Sequence, residues 1–148
     1  MQTGKEFGAK HIGSEFRQMA LWQKAQDFAA AVAQVVGALP ARDRVAETIG
    51  GQLLRAAASV PANIAEGYGR FSQAAYRSHL SIARGSAFEA ESWLDLLSRQ
   101  GLLSAEDAVR LLDQCTEVQK AVTLRMKSLG ETPKTYAKGN EGGKQDKR

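Results

Sequence analysis

Apolar residues return along the first third of the chain at alternating steps of four and three. Leu21, Ala25, Phe28, Val32, Val35 and Leu39 make this stripe, which is one face of an α-helix. Trp22, Ala29 and Val36 widen it, as a bundle helix requires and a two-stranded coil does not. The same period marks three more segments. Ile49, Leu53, Ala56, Val60 and Ile64 predict a second helix over 44–68. Tyr76, Leu80, Ala83, Ala87, Ala90, Leu94 and Leu97 predict a third over 73–100. Ala108, Leu111, Cys115, Val118, Val122 and Met126 predict a fourth that opens after Ser104. Local chemistry sets the ends. Asp43, Ser72 and Ser104 are N-cap residues, and Ser104 with Asp107 resembles a capping box. Gly101 and Gly130 close the third and fourth helices, and Pro40 marks the end of the first. The first helix begins either after a Ser14 cap or near Gln18. No strand pattern or internal repeat is present. The pattern predicts an all-α fold, an antiparallel up-down-up-down four-helix bundle over 15–129. A flexible segment, 1–14, precedes it and a disordered basic tail, 130–148, follows.

Composition narrows the class. The 148 residues suit one domain, and 43% apolar with 24% charged residues is an ordinary water-soluble profile. One cysteine excludes an intrachain disulfide and suits a reducing, cytoplasmic setting. No apolar run approaches the roughly 20 residues that span a bilayer, so no membrane partner is expected. The first residues lack a secretory pattern. The net charge is +4. Lys5 and Lys10 against Glu6 give residues 1–14 a charge of +1. Five cations against Glu131, Glu141 and Asp146 give residues 131–148 a charge of +2, which leaves the body at +1.

One stretch departs from plain helix: SVPANIAEGYGR, Ser59 to Arg70. On a wheel with Arg55 at zero, the core residues fall between roughly 100° and 180°. Arg55, Ser59, Asn63, Glu66 and Arg70 share a polar seam between about 0° and 80°. Leu54, Ala58, Ala62, Ala65 and Gly69 fill the remaining arc, where an exposed helix normally carries Lys, Glu and Gln. A second subunit covering that arc explains it; so does an exposed alanine face, since alanine favours helix without packing. On the third helix Ile82, Gly85, Ser86, Glu89, Trp93 and Leu96 lie beside the core stripe. Trp93 joins the candidate interface. Glu89 is expected to pair with Arg55, and Glu66 with Arg84 or Arg70. Pro61 removes a helix N–H and clashes one turn back, so a kink is expected there, with Ser59 and Asn63 satisfying freed backbone groups.

These residues resemble a known family. The stretches "LWQKAQDFAAAVAQVVGALP", "QLLRAAASVPANIAEGYGR" and "HLSIARGSAFEAE" are similar to the four-helix-bundle proteins encoded in intervening sequences of 23S ribosomal RNA genes. The resemblance covers 16–129. Its motif positions here are Trp22, Gln23, Lys24, Arg55, Ser59, Asn63, Glu66, Gly67, Arg70, Arg84, Gly85, Ser86 and Glu89. It implies a homopentameric ring. It extends to the accessory proteins of diversity-generating retroelements, which bind nucleic acid and a reverse transcriptase. The chain departs from the family pattern at Leu54, where a basic residue is common, and at Ala87 and Phe88 after the "GS". An aromatic common late in the family's first helix is absent as well.

No reaction is legible. A di-metal bundle site needs Glu-x-x-His, which does not occur; His11 lies in the N-terminal segment, and His79 has no carboxylate at ligand spacing on its own helix. No phosphate-binding loop is present. Cys115 lies on the core stripe as a small hydrophobe. Trp22 and Trp93 could stack on bases, although core or interface suits them better. No metal, cofactor or catalytic residue is therefore expected. Two classes remain. One is a non-catalytic oligomeric scaffold that binds RNA, DNA or a nucleic-acid enzyme such as a reverse transcriptase, with Arg42, Arg44, Arg70, Arg77 and Arg84 as candidate contacts. The other is a purely protein-binding oligomer.

Overall fold

A computed structural model describes residues 15–130; the predicted terminal segments, Ser14 included and Gly130 excepted, lie outside the described residues. A short 3-10 turn, Glu15–Gln18, leads into α1, Ala20–Gly37. Then come α2, Arg44–Tyr68, α3, Gln73–Arg99, and α4, Ala105–Ser128. No strand occurs among the described residues, and the fold is a four-helix bundle.

The caps form as their side chains dictate. Asp43 accepts the Ala46 N–H at 3.0 Å, Ser72 that of Ala75 at 3.1 Å, and Ser104 that of Asp107 at 3.0 Å. Asp107 turns its carboxylate to Arg110, 3.0 Å away, instead of completing a capping box. α1 starts at Ala20 with no side-chain cap and stops at Gly37, three residues before Pro40. Gly101, at φ +70°, ends α3. There the Leu102 N–H reaches the Leu97 carbonyl and the Gly101 N–H reaches that of Ser98, both at 3.0 Å, the six-to-one and five-to-two bonds of a Schellman stop.

Each helix packs against two others: α1 on α2, α2 on α3, α3 on α4, and α4 back on α1. Phe28, Leu53, Ile64, Leu80, Leu94 and Leu111 are fully buried between them. The predicted core positions of α2, α3 and α4 are all buried, whereas Val35 and Leu39 at the end of α1 are only half-buried. The α2–α3 contact is the most extensive because small residues line it. Gly67 is the tightest point: a Cβ there would stand 2.6 Å from the His79 Cβ and 3.2 Å from the Tyr76 carbonyl oxygen. α2 continues through the buried Pro61 without interruption.

Cross-helix contacts fix which ends lie together. Ser59 meets Ser86 and Asn63 meets His79. Arg84 meets Thr123, and the Arg77 guanidinium donates to the Leu129 carbonyl at 3.3 Å. Ala20 and Lys24 share a groove with Arg125 and Ser128. The Tyr68 hydroxyl donates to Glu15. The start of α1, the end of α2, the start of α3 and the end of α4 therefore form one end of the bundle. Among the described residues, no helix is long and apolar enough to cross a membrane.

Candidate nucleic-acid interface and subunit surface

The polar seam exists, but its membership differs from expectation. Ser59 Oγ lies 3.0 Å from Ser86 Oγ. Asn63 Nδ2 donates to the Ser59 carbonyl at 2.8 Å and to Ser59 Oγ at 2.9 Å. With both amide hydrogens used, Asn63 Oδ1 must accept, and His79 Nδ1 lies 3.2 Å from it. That ring nitrogen therefore carries the proton. His79 Nδ1 is also 3.7 Å from Glu66 Oε2. Glu66 Oε1 in turn accepts from Arg70 Nη2 at 2.6 Å. The hydrogen bond from Arg70, helped by the His79 and Arg70 charges, holds the Glu66 carboxyl below its usual range despite some desolvation.

Of the two partners open to Glu66, Arg70 is the one it takes, and with the Glu66 side chain 49% exposed water screens the pair. One expectation fails. The Arg55–Glu89 pair does not form. Glu89 accepts from Trp93 Nε1 one turn along α3, at 3.3 Å, and Arg55 stands exposed. A donor four residues away on the same helix is closer at hand than one across the seam. Arg84 faces the other flank of α3, away from Glu66. His79 and Ser86 are the seam members that sequence spacing alone did not join to α2.

The outer face of the α2–α3 hairpin carries the candidate subunit interface. Ala58, Ala62 and Gly69 are exposed, and Leu54, Ala65 and Trp93 are half-buried. The Ser59–Ser86 and Asn63–His79 contacts put Ala62 level with Ile82, an exposed isoleucine on α3. A Cβ added to Gly85 on the same face would meet nothing within 4 Å.

The arrangement also separates charge. The cross-helix contacts put Phe28, Ala56, Phe88 and Val118 near the mid-level of the bundle. On the side where the chain enters and leaves, Arg17 and Lys24 come from the start of the chain and Arg70 follows α2. α3 adds Arg77 and Arg84, and α4 adds Lys120, Arg125 and Lys127. Among the described residues, Glu15, Asp27 and Glu66 lie with these eight cations, and Glu117, 3.7 Å from Lys120, sits at the boundary. The other half holds five arginines: Arg42, Arg44, Arg55, Arg99 and Arg110. Nine carboxylates oppose them, four of them, Glu106, Asp107, Asp113 and Glu117, on α4. A body of net +1 is thus a +5 end joined to a −4 end. Of the candidate contacts, Arg70, Arg77 and Arg84 share the basic end. Arg42, at φ +62° in the α1–α2 connection, and Arg44 lie at the acidic end.

Cys115 donates its thiol to the Ala87 carbonyl at 3.2 Å. Burial, with the Glu91 charge, pushes that thiol up to about 12, so it is a poor nucleophile. Among the described residues, no group of three or more His, Cys, Asp and Glu could hold a metal ion.

No curated protein matches the sequence. Among solved structures, the chain is similar to a protein of unknown function from the S23 ribosomal protein family of Bacteroides thetaiotaomicron VPI-5482. The two share 28% identity and a TM-score of 0.68, over 73% of this chain and 99% of the other. The sequence model of the 23S rRNA-intervening sequence proteins matches residues 17–123. Helix layout, the seam motif and this match agree, and the chain belongs to the 23S rRNA-intervening sequence protein family.

Proposed function

We propose that this chain is a non-catalytic accessory scaffold, an up-down-up-down bundle that assembles with its own copies and binds RNA or DNA at its basic end. The observation that carries the nucleic-acid reading is the charge separation. Eight cations against three carboxylates gather at one end. The segments before residue 15 and after residue 130, with charges of +1 and +2, are attached there. Phosphate backbones are drawn to such a concentration of Lys and Arg. Assembly into the ring of five that the family resemblance implies would multiply the basic end fivefold. The uncovered Ala58, Ala62 and Gly85 face supports self-association.

A partner enzyme is the second reading, and the acidic half favours it. Nine carboxylates against five arginines suit docking of a basic protein, such as the reverse transcriptase that related accessory proteins serve. The test of the main reading is fluorescence anisotropy with RNA and duplex DNA at rising salt, on the full chain and on a chain ending at residue 130. Binding whose salt slope persists in the shortened chain supports the bundle as the contact. No binding at low salt contradicts a nucleic-acid role and leaves a purely protein-binding oligomer.

A further inference from the structure

Between α3 and α4, at the edge of the basic half, runs an open groove of about 420 Å³. Its apolar walls are Phe88, 44% exposed, and Leu124, 70% exposed. Its polar lining includes Lys120, Lys127 and Thr123, and among the described residues no carboxylate lines it. Arg84 is fixed at its rim. The Arg84 Nε donates to Thr123 Oγ1 at 3.0 Å, and the guanidinium carbon lies 4.8 Å from the centre of the Phe88 ring. Thr123 is itself held by the Gln119 carbonyl at 2.8 Å. Among the described residues Arg84 has no carboxylate partner. The nearby Glu91 already accepts from Gln119 at 2.8 Å, and Glu117 lies 3.7 Å from Lys120.

We propose that this groove binds single-stranded nucleic acid, with Phe88 and the planar Arg84 as a stacking platform and Lys120 and Lys127 as phosphate contacts. This rests on the nucleic-acid role proposed above and names its contact. A single strand offers what the groove matches: bare base faces for an aromatic ring and a guanidinium, and phosphates for lysines. A duplex keeps its base faces stacked inside. An amphipathic helix needs an apolar floor of three or four anchors, and only two of the seven described lining side chains are apolar. Its α4 wall lies across the bundle from α2, while its α3 wall shares a helix with the candidate subunit surface. α2 and α4 lie on opposite corners of the bundle, each packed on α1 and α3.

The experiment is anisotropy of fluorescein-labelled oligouridine with the full-length protein and four variants, each checked for its helical melt. Phe88→Leu keeps apolar volume but loses the ring, and is expected to weaken binding about tenfold. Phe88→Trp restores it. Lys120→Gln with Lys127→Gln weakens binding and flattens the slope of log affinity on log salt by about 1.4. Arg99→Gln with Arg110→Gln, in the acidic half, leaves affinity unchanged. Groove variants that bind like the parent overturn the groove assignment while the broader role stands. A duplex that competes as well as the single strand overturns the stacking platform. Failure of the parent to bind either nucleic acid removes the role itself. An acidic amphipathic peptide that binds through Phe88 where oligouridine does not makes this a protein-docking groove instead.

Discussion

Gly67 and Gly85 belong to the two helices of one hairpin and answer to different neighbours. A helix glycine costs about 0.5–1 kcal/mol relative to alanine. At Gly67 the close approach of α2 and α3 accounts for it, since a Cβ would run into the His79 Cβ and the Tyr76 backbone. At Gly85 nothing among the described residues does, since a Cβ there meets none of them within 4 Å. Exposed Ala58, Ala62 and Ile82 share the outer face with Gly85. The inner side of the hairpin is complete as a single chain. The outer side makes sense if another helix comes close.

Gly67→Ala gives the largest effect. The methyl group has no space: it would stand 2.6 Å from the His79 Cβ, 3.0 Å from the Tyr76 ring and 3.2 Å from the Tyr76 carbonyl oxygen, and neither the Cβ nor the backbone oxygen can swing aside. Urea unfolding is expected to show a loss of about 1–3 kcal/mol. An unchanged midpoint means that α2 and α3 are not packed this closely. Asn63→Ala follows. It removes both donors to Ser59 and the acceptor facing His79, for a loss of about 1 kcal/mol. A neutral result places the seam in water. Gly85→Ala is smaller and its sign is informative. On a free face it stabilises the bundle by about 0.5–1 kcal/mol through helix propensity. On a packed face it loosens the assembly, which sedimentation reads directly. The smallest effect is a titration. Glu66 is held below its usual range by Arg70, so its contribution is present at neutral pH and is lost as pH falls through the lowered folded value. Arg70→Ala is expected to move the Glu66 carboxyl resonance midpoint upward. A midpoint that does not move assigns the shift to something other than Arg70.

The helices were legible because their signals are local. Core stripes repeat every three or four residues, and Asp43, Ser72 and Ser104 bond N–H groups three residues on. The charge separation was hidden because it is a property of topology. Arg70, Arg84 and Lys127 are scattered along the chain and come together only when alternate helix ends meet. The seam was half legible for the same reason. Helix spacing joins Ser59, Asn63 and Glu66, but the tie to His79 and Ser86 depends on the register of α3. Arg55 with Glu89 failed because Trp93, one turn away, supplies the donor. The start of α1 was ambiguous because no side chain caps it.

Ala58, Ala62 and Gly85 are explained if copies of the chain bury the α2–α3 outer face between them. Light scattering of the native protein, beside Ala62→Glu, tests that burial most directly. The expected result is a parent mass several times that of one chain, five times for the ring, and a variant at the mass of one chain that still melts as a folded bundle. A parent that stays at the mass of one chain at high concentration, or an Ala62→Glu protein that keeps the parent mass, contradicts it.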